Sequence, residues 1–385
     1  MAAISQFRFP VDMRFGPGGR SELGEFAEKY DVNRPLLVTD SGLVQTKAFA
    51  LVVEAMDKVW PNGYERFTGV DPNPTDQNVD DAFAAYQKAN CDGVVGLGGG
   101  SALDAARAMR LKVAFPDTAL LDMPCDNLPA KLTPFCAIPT TAGTGSEVGR
   151  SSVITVPAMG RKAVIGAAPL MAELAILDPE LTVGLPAKLT AWTGMDAMVH
   201  AMESLVTPIF HPMCDAIALE AMRIVWKYLP QAYDNGSDIE ARGMMQMAAA
   251  MGATAFQKDL GVVHSMAHPL STVCNVQHGL ANAICLAPVM DFNKETCPDK
   301  YARVAQCFGI NTFGMSELEA SDAAIDAIEQ LNKRLGIPKT LAEVGVKKEQ
   351  LTTLAKKAFE DPCHQTNPRP CSEEDLLILY NKVYE

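Results

Sequence analysis

The segment Asp92-Gly-Val-Val-Gly-Leu-Gly98-Gly99-Gly100-Ser101-Ala-Leu-Asp104 restricts the fold more than any other stretch of the chain. Its apolar residues read as a short buried strand, three consecutive glycines end that strand, and a helical pattern from Ala102 to Arg110 begins at once. The same alternation fills the rest of the first half. Strand-like runs are expected at Phe7–Phe15, Leu36–Thr39, Tyr64–Phe67, Phe135–Pro139 and Ser152–Val156, with helices from about Ser21, at Thr46–Val59 and at Asp76–Lys88. Strands and helices alternating at this spacing build a parallel sheet covered on both faces.

After Leu177-Asp-Pro-Glu-Leu-Thr-Val-Gly-Leu-Pro186 the pattern changes. Leu189, Trp192, Met195, Val199, Met202 and Val206 recur at three and four, as on one face of an amphipathic helix. Helical patterns continue at 215–228, 240–256, 279–292, 321–335, 348–359 and 372–382. A chain of 385 residues exceeds what one hydrophobic core usually serves. The expectation is an α/β domain over residues 1–182 and an all-helical domain over 183–385.

Glycines that close a strand and open a helix let backbone N–H groups approach a phosphate, and the helix N-terminus adds partial positive charge. Gly96-x-Gly98-x-x-Ser101 misses the dinucleotide fingerprint only in its third position, where serine replaces glycine. The loop Thr140-Thr-Ala-Gly-Thr144-Gly-Ser146 adds hydroxyls and glycines of the same kind. Asp40 ends a neighbouring strand, where a carboxylate could take the ribose hydroxyls of adenosine or could serve locally as a cap or turn residue.

Three of the six histidines fall between Gly261 and Gly279. His264 and His268 are four residues apart, so on a helix they share a face, and Pro269 is expected to bend or end that helix before His278 arrives on a loop. Upstream, Asp196 and His200 repeat the spacing of four. A carboxylate and several imidazoles from separate elements suit a catalytic divalent transition metal, not an all-oxygen calcium or magnesium cage. A polar pair beside an apolar stripe is the plainer account of Asp196 and His200 alone. His211 reads as a loop residue, His364 is locally undecided, and the methionines at 244–251 read as core packing.

The formal charge of −13 disfavours nucleic acid and anionic membrane as partners, because both require a basic face. Ten cysteines without a Cys-x-x-Cys pair suggest neither a zinc knuckle nor a disulfide framework, and read as free thiols in a reducing compartment. No run approaches the roughly 20 apolar residues of a membrane span, nor does the N-terminus look like a signal peptide. A cytoplasmic protein acting on a small molecule is expected, as a homo-oligomer, dimeric or larger.

With these motifs in place, the chain resembles the iron-containing, group III alcohol dehydrogenases. The resemblance runs through Phe15-Gly-Pro-Gly, Asp71-Pro-Asn-Pro-Thr-Asp, Gly98-Gly-Gly-Ser, Pro139-Thr-Thr-Ala-Gly-Thr-Gly-Ser-Glu, Thr193-Gly-Met-Asp-Ala-Met-Val-His-Ala-Met-Glu, Val263-His-Ser-Met-Ala-His, Gln277-His-Gly and Thr366-Asn-Pro-Arg. It implies a Rossmann-like domain for NAD and a helical domain for Fe(II), with zinc, manganese, nickel or copper able to replace iron in vitro. The implied metal ligands are Asp196, His200, His264 and His278, while His268 is implied to lie near the nicotinamide and to assist proton transfer. Implied cofactor contacts are Asp40, which goes with NAD over NADP, together with Asn73, Gly99, Gly100, Ser101, Asp104, Thr140, Thr141, Thr144, Ser146 and Lys162. Phe256, Cys274 and Cys363 fall at implied pocket-wall positions.

The resemblance further implies interconversion of a small primary alcohol and its aldehyde. Two rival functions remain open here: a dehydroquinate-synthase-like metal-dependent lyase, and a non-catalytic nucleotide-binding sensor. The segment Phe256-Gln-Lys-Asp-Leu-Gly261 is one residue shorter than the family's usual pattern. It places Lys258 beside the implied pocket, where a lysine could hold an anionic substrate end of the 4-hydroxybutyrate/succinic semialdehyde or isethionate/sulfoacetaldehyde type. Equally, Lys258 could be a solvated loop residue, and Arg150 is a weaker second anion partner.

Overall fold

The computed structural model describes residues 11–159 and 161–385, with nothing said of the side chains of Met159 and Arg161. The part of the expected first strand before Val11 lies outside the described residues. Two compact units emerge: one from the described residues within Phe9–Leu185 together with Ser237–Gln246, the other from Pro186–Gly236 and Met247–Glu385. The division at 185/186 compares with the 182/183 expected from the change in sequence pattern.

In the first unit the elements run β1 (Asp12–Phe15), α1 (Leu23–Tyr30), β2 (Pro35–Asp40), α2 (Lys47–Val59), β3 (Glu65–Val70), α3 (Asp76–Lys88), β4 (Gly93–Gly98), α4 (Gly100–Ala114), β5 (Phe135–Pro139), β6 (Ser151–Val156), β7 (Arg161–Gly166) and β8 (Leu174–Leu177). Six strands form one parallel sheet in the order β1-β8-β5-β4-β2-β3. Alternate residues of each strand go to opposite faces, as the two-residue period demands. Leu36, Val38, Val94, Phe135 and Ala137 pack with residues of α3 and α4, including Val79, Ala82 and Leu103. Leu37, Val95, Leu97, Cys136 and Ile138 pack on the other side with α1 and α2 through Leu23, Phe26, Phe49 and Val52.

The connection from β2 through α2 leads outward to β3, while that from β4 through α4 leads the opposite way to β5. Neighbouring strands whose connections diverge leave a crevice beyond their carboxyl ends, which is where open α/β sheets hold ligands. Asp40 and Gly98 are the last residues of those two strands. Two expectations change here. Ser152–Val156 does form a strand, but it pairs antiparallel with the unforeseen β7 in a separate ribbon. The parallel sheet is instead completed by β8, four residues that sequence patterning did not separate from the following turn.

The second unit is helical: α5 (Ala187–Val206), α6 (Pro212–Asp234), α7 (Ile239–Ala255, whose first residues belong to the other unit), α8 (Val262–Cys274), α9 (His278–Asn293), α10 (Pro298–Cys307), α11 (Glu317–Arg334), α12 (Leu351–Glu360) and α13 (Glu373–Tyr384). Only α10 had no counterpart in the sequence reading. Although α5 was expected to bury one face, Asp196, His200, Glu203 and Ser204 on its polar side are buried as well. It packs against α6 and α9, and α8 packs against α9 and α12. Pro269 does not end α8, which continues to Cys274. Among the described residues no helix is long and apolar enough to cross a membrane.

Candidate active site

In the helical unit, one turn of α5 aligns Asp196 with His200, whose Nε2 lies 3.9 Å from Asp196 Oδ1. Both side chains are almost fully buried, yet that contact is too long for a hydrogen bond and His200 Nδ1 has no partner among the described residues. A buried imidazole with so little protein bonding is held for something else. Helix α8 brings His264 alongside, its ring stacked on that of His200 at 4.7 Å. The Asp196, His200 and His264 ligand atoms all lie within 4.8 Å of one another.

His264 Nδ1 meets Glu203 Oε2 at 2.6 Å, while Glu203 Oε1 accepts the Val263 N–H at 2.6 Å. A carboxylate partner draws the imidazole proton to Nδ1, so the Nε2 lone pair is left to face Asp196 and His200, the arrangement that orients a metal-ligating histidine. Burial pushes the Glu203 carboxyl up to about 7, against the pull of the Val263 and Gly261 N–H groups. Burial also holds His264 well below the ordinary imidazole value, aided by His200, so that it stays neutral. Glu203 closes the motif that begins at Thr193, and its spacing of seven from Asp196 sets it two turns along the same face of the helix.

His278 opens α9, with Nε2 3.5 Å from Asp196 Oδ1. The approach depends on the next residue, because a Cβ on Gly279 would lie 2.2 Å from the Trp192 carbonyl oxygen of α5. Asn282, one turn along α9, escaped the sequence reading. Its Nδ2 donates to Asp196 Oδ1 at 2.7 Å and stands 3.2 Å from His278 Nε2 and 3.4 Å from His264 Nε2. One carboxylate and three imidazoles therefore converge on one point, and the donor set fits a divalent transition metal.

His268 lies beside this cluster. Its ring is stacked on His278 at 5.4 Å and edge-on to His264 at 5.8 Å. Its Nδ1 contacts Asp361 Oδ2 at 2.7 Å. Burial alone would raise the Asp361 carboxyl, but the hydrogen bonds from His268 and the Cys363 N–H outweigh it and hold it well below the usual carboxylate range. Cys363 lies close to both, and burial next to Asp361 pushes its thiol well above the ordinary value. Phe256 packs its ring 5.2 Å from that of His200, and Cys274 ends α8.

Lys258 is neither a pocket cation nor a solvated loop residue. It is completely buried, ion-paired with Asp215 and 3.3 Å from the Leu205 carbonyl at the end of α5. A short turn, Phe256–Lys258, directs the side chain inward. Lys300 reinforces the same helix end by donating to the Val206 and Thr207 carbonyls at 3.1 and 2.7 Å. Arg150 is exposed in the α/β unit.

In that unit the glycine loop has the form a phosphate requires. Gly98 has φ +146°, and a Cβ there would meet Ala102 Cβ at 2.8 Å and Asp40 Oδ2 at 3.3 Å. Gly99 caps α4 with no side-chain bond to its first N–H groups. Thr144 packs against Gly100, where a Cβ would lie 3.0 Å from its hydroxyl oxygen, and Thr141 faces Gly99. Thr140 N–H donates to the Gly98 carbonyl at 3.0 Å, and Ser101 Oγ donates to the Pro72 carbonyl at 2.6 Å, fastening the loop that carries exposed Asn73. Backbone crowding that excludes side chains and free helix N–H groups together fit a dinucleotide pyrophosphate.

Asp104 and Ser146 do not face that crevice as ligand groups. Asp104 is buried and accepts from Arg107 at 2.9 Å, from the Ser146 hydroxyl at 2.6 Å and from the Val153 N–H at 2.8 Å. Both side chains are thus spent on holding the loop, through a buried arginine that sequence reading overlooked. Lys162, on β7, is lowered by burial against the attraction of Asp104.

Comparison with known proteins agrees with this geometry. Residues 10–179 match the model described as iron-containing alcohol dehydrogenase, and residues 190–384 match the C-terminal model of the Fe-containing alcohol dehydrogenase family. NAD-dependent methanol dehydrogenase of Bacillus methanolicus is 37% identical over 379 residues, covering 98% of this chain and 99% of its own. The crystal structure of 1,3-propanediol oxidoreductase superposes with a TM-score of 0.95 at 35% identity, covering 99% of this chain and all of the other. Sulfoacetaldehyde reductase from Bifidobacterium kashiwanohense, in complex with NAD+, gives 0.89 at 31% identity, with 99% of each chain covered. The chain belongs to the iron-containing alcohol dehydrogenase family.

Proposed function

We propose that this enzyme interconverts a short primary alcohol and its aldehyde with NAD(H) and one Fe(II), the iron held by Asp196, His200, His264 and His278. The observation that carries the reading is the convergence of those four side chains, with His264 oriented by Glu203. Bound there, a divalent ion would acidify an alcohol and polarise a carbonyl. Asp40, whose Oδ1 takes the Leu43 N–H at 2.9 Å, would direct Oδ2 to the ribose hydroxyls and repel a 2′-phosphate. His268, partly exposed beside the cluster, would take the alcohol proton at Nε2 as two electrons leave with the hydride, and return it in the reverse direction.

An uncharged substrate is favoured, because the lysine that would select an anionic end is engaged with Asp215. The likeness to a sulfoacetaldehyde reductase supports a second reading, in which the anion is held by other groups. Initial rates under anaerobic, iron-supplied conditions, read at the nicotinamide absorbance, test both. Butyraldehyde against succinic semialdehyde and propionaldehyde against sulfoacetaldehyde are the informative pairs. Preference for the uncharged member of each pair supports the first reading, and absence of any turnover on all four would refute the proposal.

A further inference from the structure

We propose that Asp361 is a positioning residue that sets the tautomer and ring orientation of His268. The inference rests on reading His268 as the proton-transfer group. Asp361 stands at the junction between α12 and the turn Pro362–Thr366, and its carboxylate is surrounded by donors. Oδ1 accepts from the Ser265 hydroxyl at 3.0 Å and from the Cys363 N–H at 3.0 Å, while Oδ2 lies 2.7 Å from His268 Nδ1. Ser265 Oγ in turn accepts the His364 N–H at 2.8 Å, which fixes the hydroxyl proton toward Asp361.

A carboxylate so engaged can only accept from His268. The imidazole proton therefore sits on Nδ1, and the lone pair is on Nε2. In alcohol oxidation the substrate O–H bond breaks and an N–H bond forms at Nε2. In aldehyde reduction the same proton goes back to oxygen.

The segment that carries Asp361 is itself pinned at the start of α8 and the end of α9. Thr366 Oγ1 donates to the Leu260 carbonyl at 2.7 Å. Asn367 and Asn293 exchange two hydrogen bonds, at 2.7 and 3.1 Å, while Asn367 Oδ1 also faces the Val262 N–H at 3.4 Å. Asp361 and His364 are thus tied to Ser265 of α8, one turn before His268, and the turn that follows is tied to Leu260 and to Asn293 of α9. Nothing in the sequence spacing connects position 361 with 268.

The test is a double-variant cycle in the iron-loaded enzyme with saturating NAD: Asp361→Asn, His268→Gln and both together. Asparagine keeps the shape but turns an N–H toward Nδ1, which drives the proton to Nε2. The expected result is a fall in kcat of about tenfold or more, since positioned proton transfer contributes roughly 10²–10⁴-fold, with KM and metal content held within about twofold. In the His268→Gln background the same change should cost less than about twofold, because the residue it acts through is gone. A drop in kcat of equal size in both backgrounds would overturn the proposal, as would a loss confined to metal content or melting temperature. If His268→Gln alone leaves kcat unchanged, the reading of His268 fails first and takes this inference with it. Should Asp361→Asn not fold, ¹⁵N resonances of histidine-labelled, zinc-loaded wild-type protein decide the matter: Nδ1–H supports the inference, and Nε2–H at His268 removes it.

Discussion

At the scale of single residues, Asp40 does two things with one carboxylate. One oxygen closes the turn to Leu43, as a purely local reading would have it, and the other faces the glycine loop. Asp40→Gly should therefore narrow the preference for NAD over NADP in kcat/KM by about tenfold or more, the worth of a charge-assisted contact. An unmodified enzyme that runs better on NADPH would show Asp40 misassigned. Lys258 carries a prediction of a different kind. Replacing it by Met leaves Asp215 without its partner, for a loss of roughly 3 kcal/mol seen as a lower unfolding midpoint in urea. Selectivity between succinic semialdehyde and butyraldehyde should not move. Glu203 would act on a bound metal through His264, so Glu203→Ala should weaken metal binding about 10- to 100-fold in a competitive chelator titration. Unaltered affinity would mean that His264 holds its orientation without the carboxylate.

Elements decide whether these residues meet. Asp196 and His200 share α5, and His264 with His268 share α8, so each pair follows from helical periodicity alone. His278 is different, because it reaches Asp196 only where α9 presses its first turn onto the α5 backbone at Gly279. An alanine there has no space beside the Trp192 carbonyl, and backbone yields less readily than a side chain. Gly279→Ala is expected to cost about 1–3 kcal/mol by overpacking and to reduce bound metal, since the movement that relieves the clash withdraws His278. Elemental analysis alongside thermal unfolding checks both halves, and retention of full metal at wild-type stability would contradict the close approach. The persistence of α8 through Pro269 has its own logic. Proline there lacks the N–H that would bond the Ser265 carbonyl, while Ser265 is tied through its side chain to Asp361 and through its N–H to Gly261.

Taken as a whole molecule, the helical unit brings Asp196, His200, His264 and His278 together only when folded, so a metal held there would be thermodynamically linked to the fold. Adding Fe(II) anaerobically, or Zn(II) in air, to chelator-treated protein should raise the melting temperature. At a free metal concentration a hundredfold above Kd the stabilisation is about 2.7 kcal/mol. His264→Ala should abolish the upward shift, and an equal shift in that variant would place the bound metal elsewhere.

Much of this protein is determined by the sequence alone. Strand and helix periods, the glycine run after β4 and the clustered histidines identify an α/β unit, a helical unit and their candidate ligands, because each depends on neighbours within a few residues. Folding in three dimensions decided the rest. The four-residue β8 has meaning only between β1 and β5, and Lys258 looks exposed until Asp215 and the end of α5 close over it. Asp104 could serve a cofactor or Arg107 until the buried network engages both of its oxygens. Glu203, Asn282 and Asp361 act across 61, 86 and 93 residues of sequence, where no local spacing links a hydrogen-bond donor to its acceptor. Burial and long-range polar pairing are properties of packed elements, and only the tertiary structure assigns them.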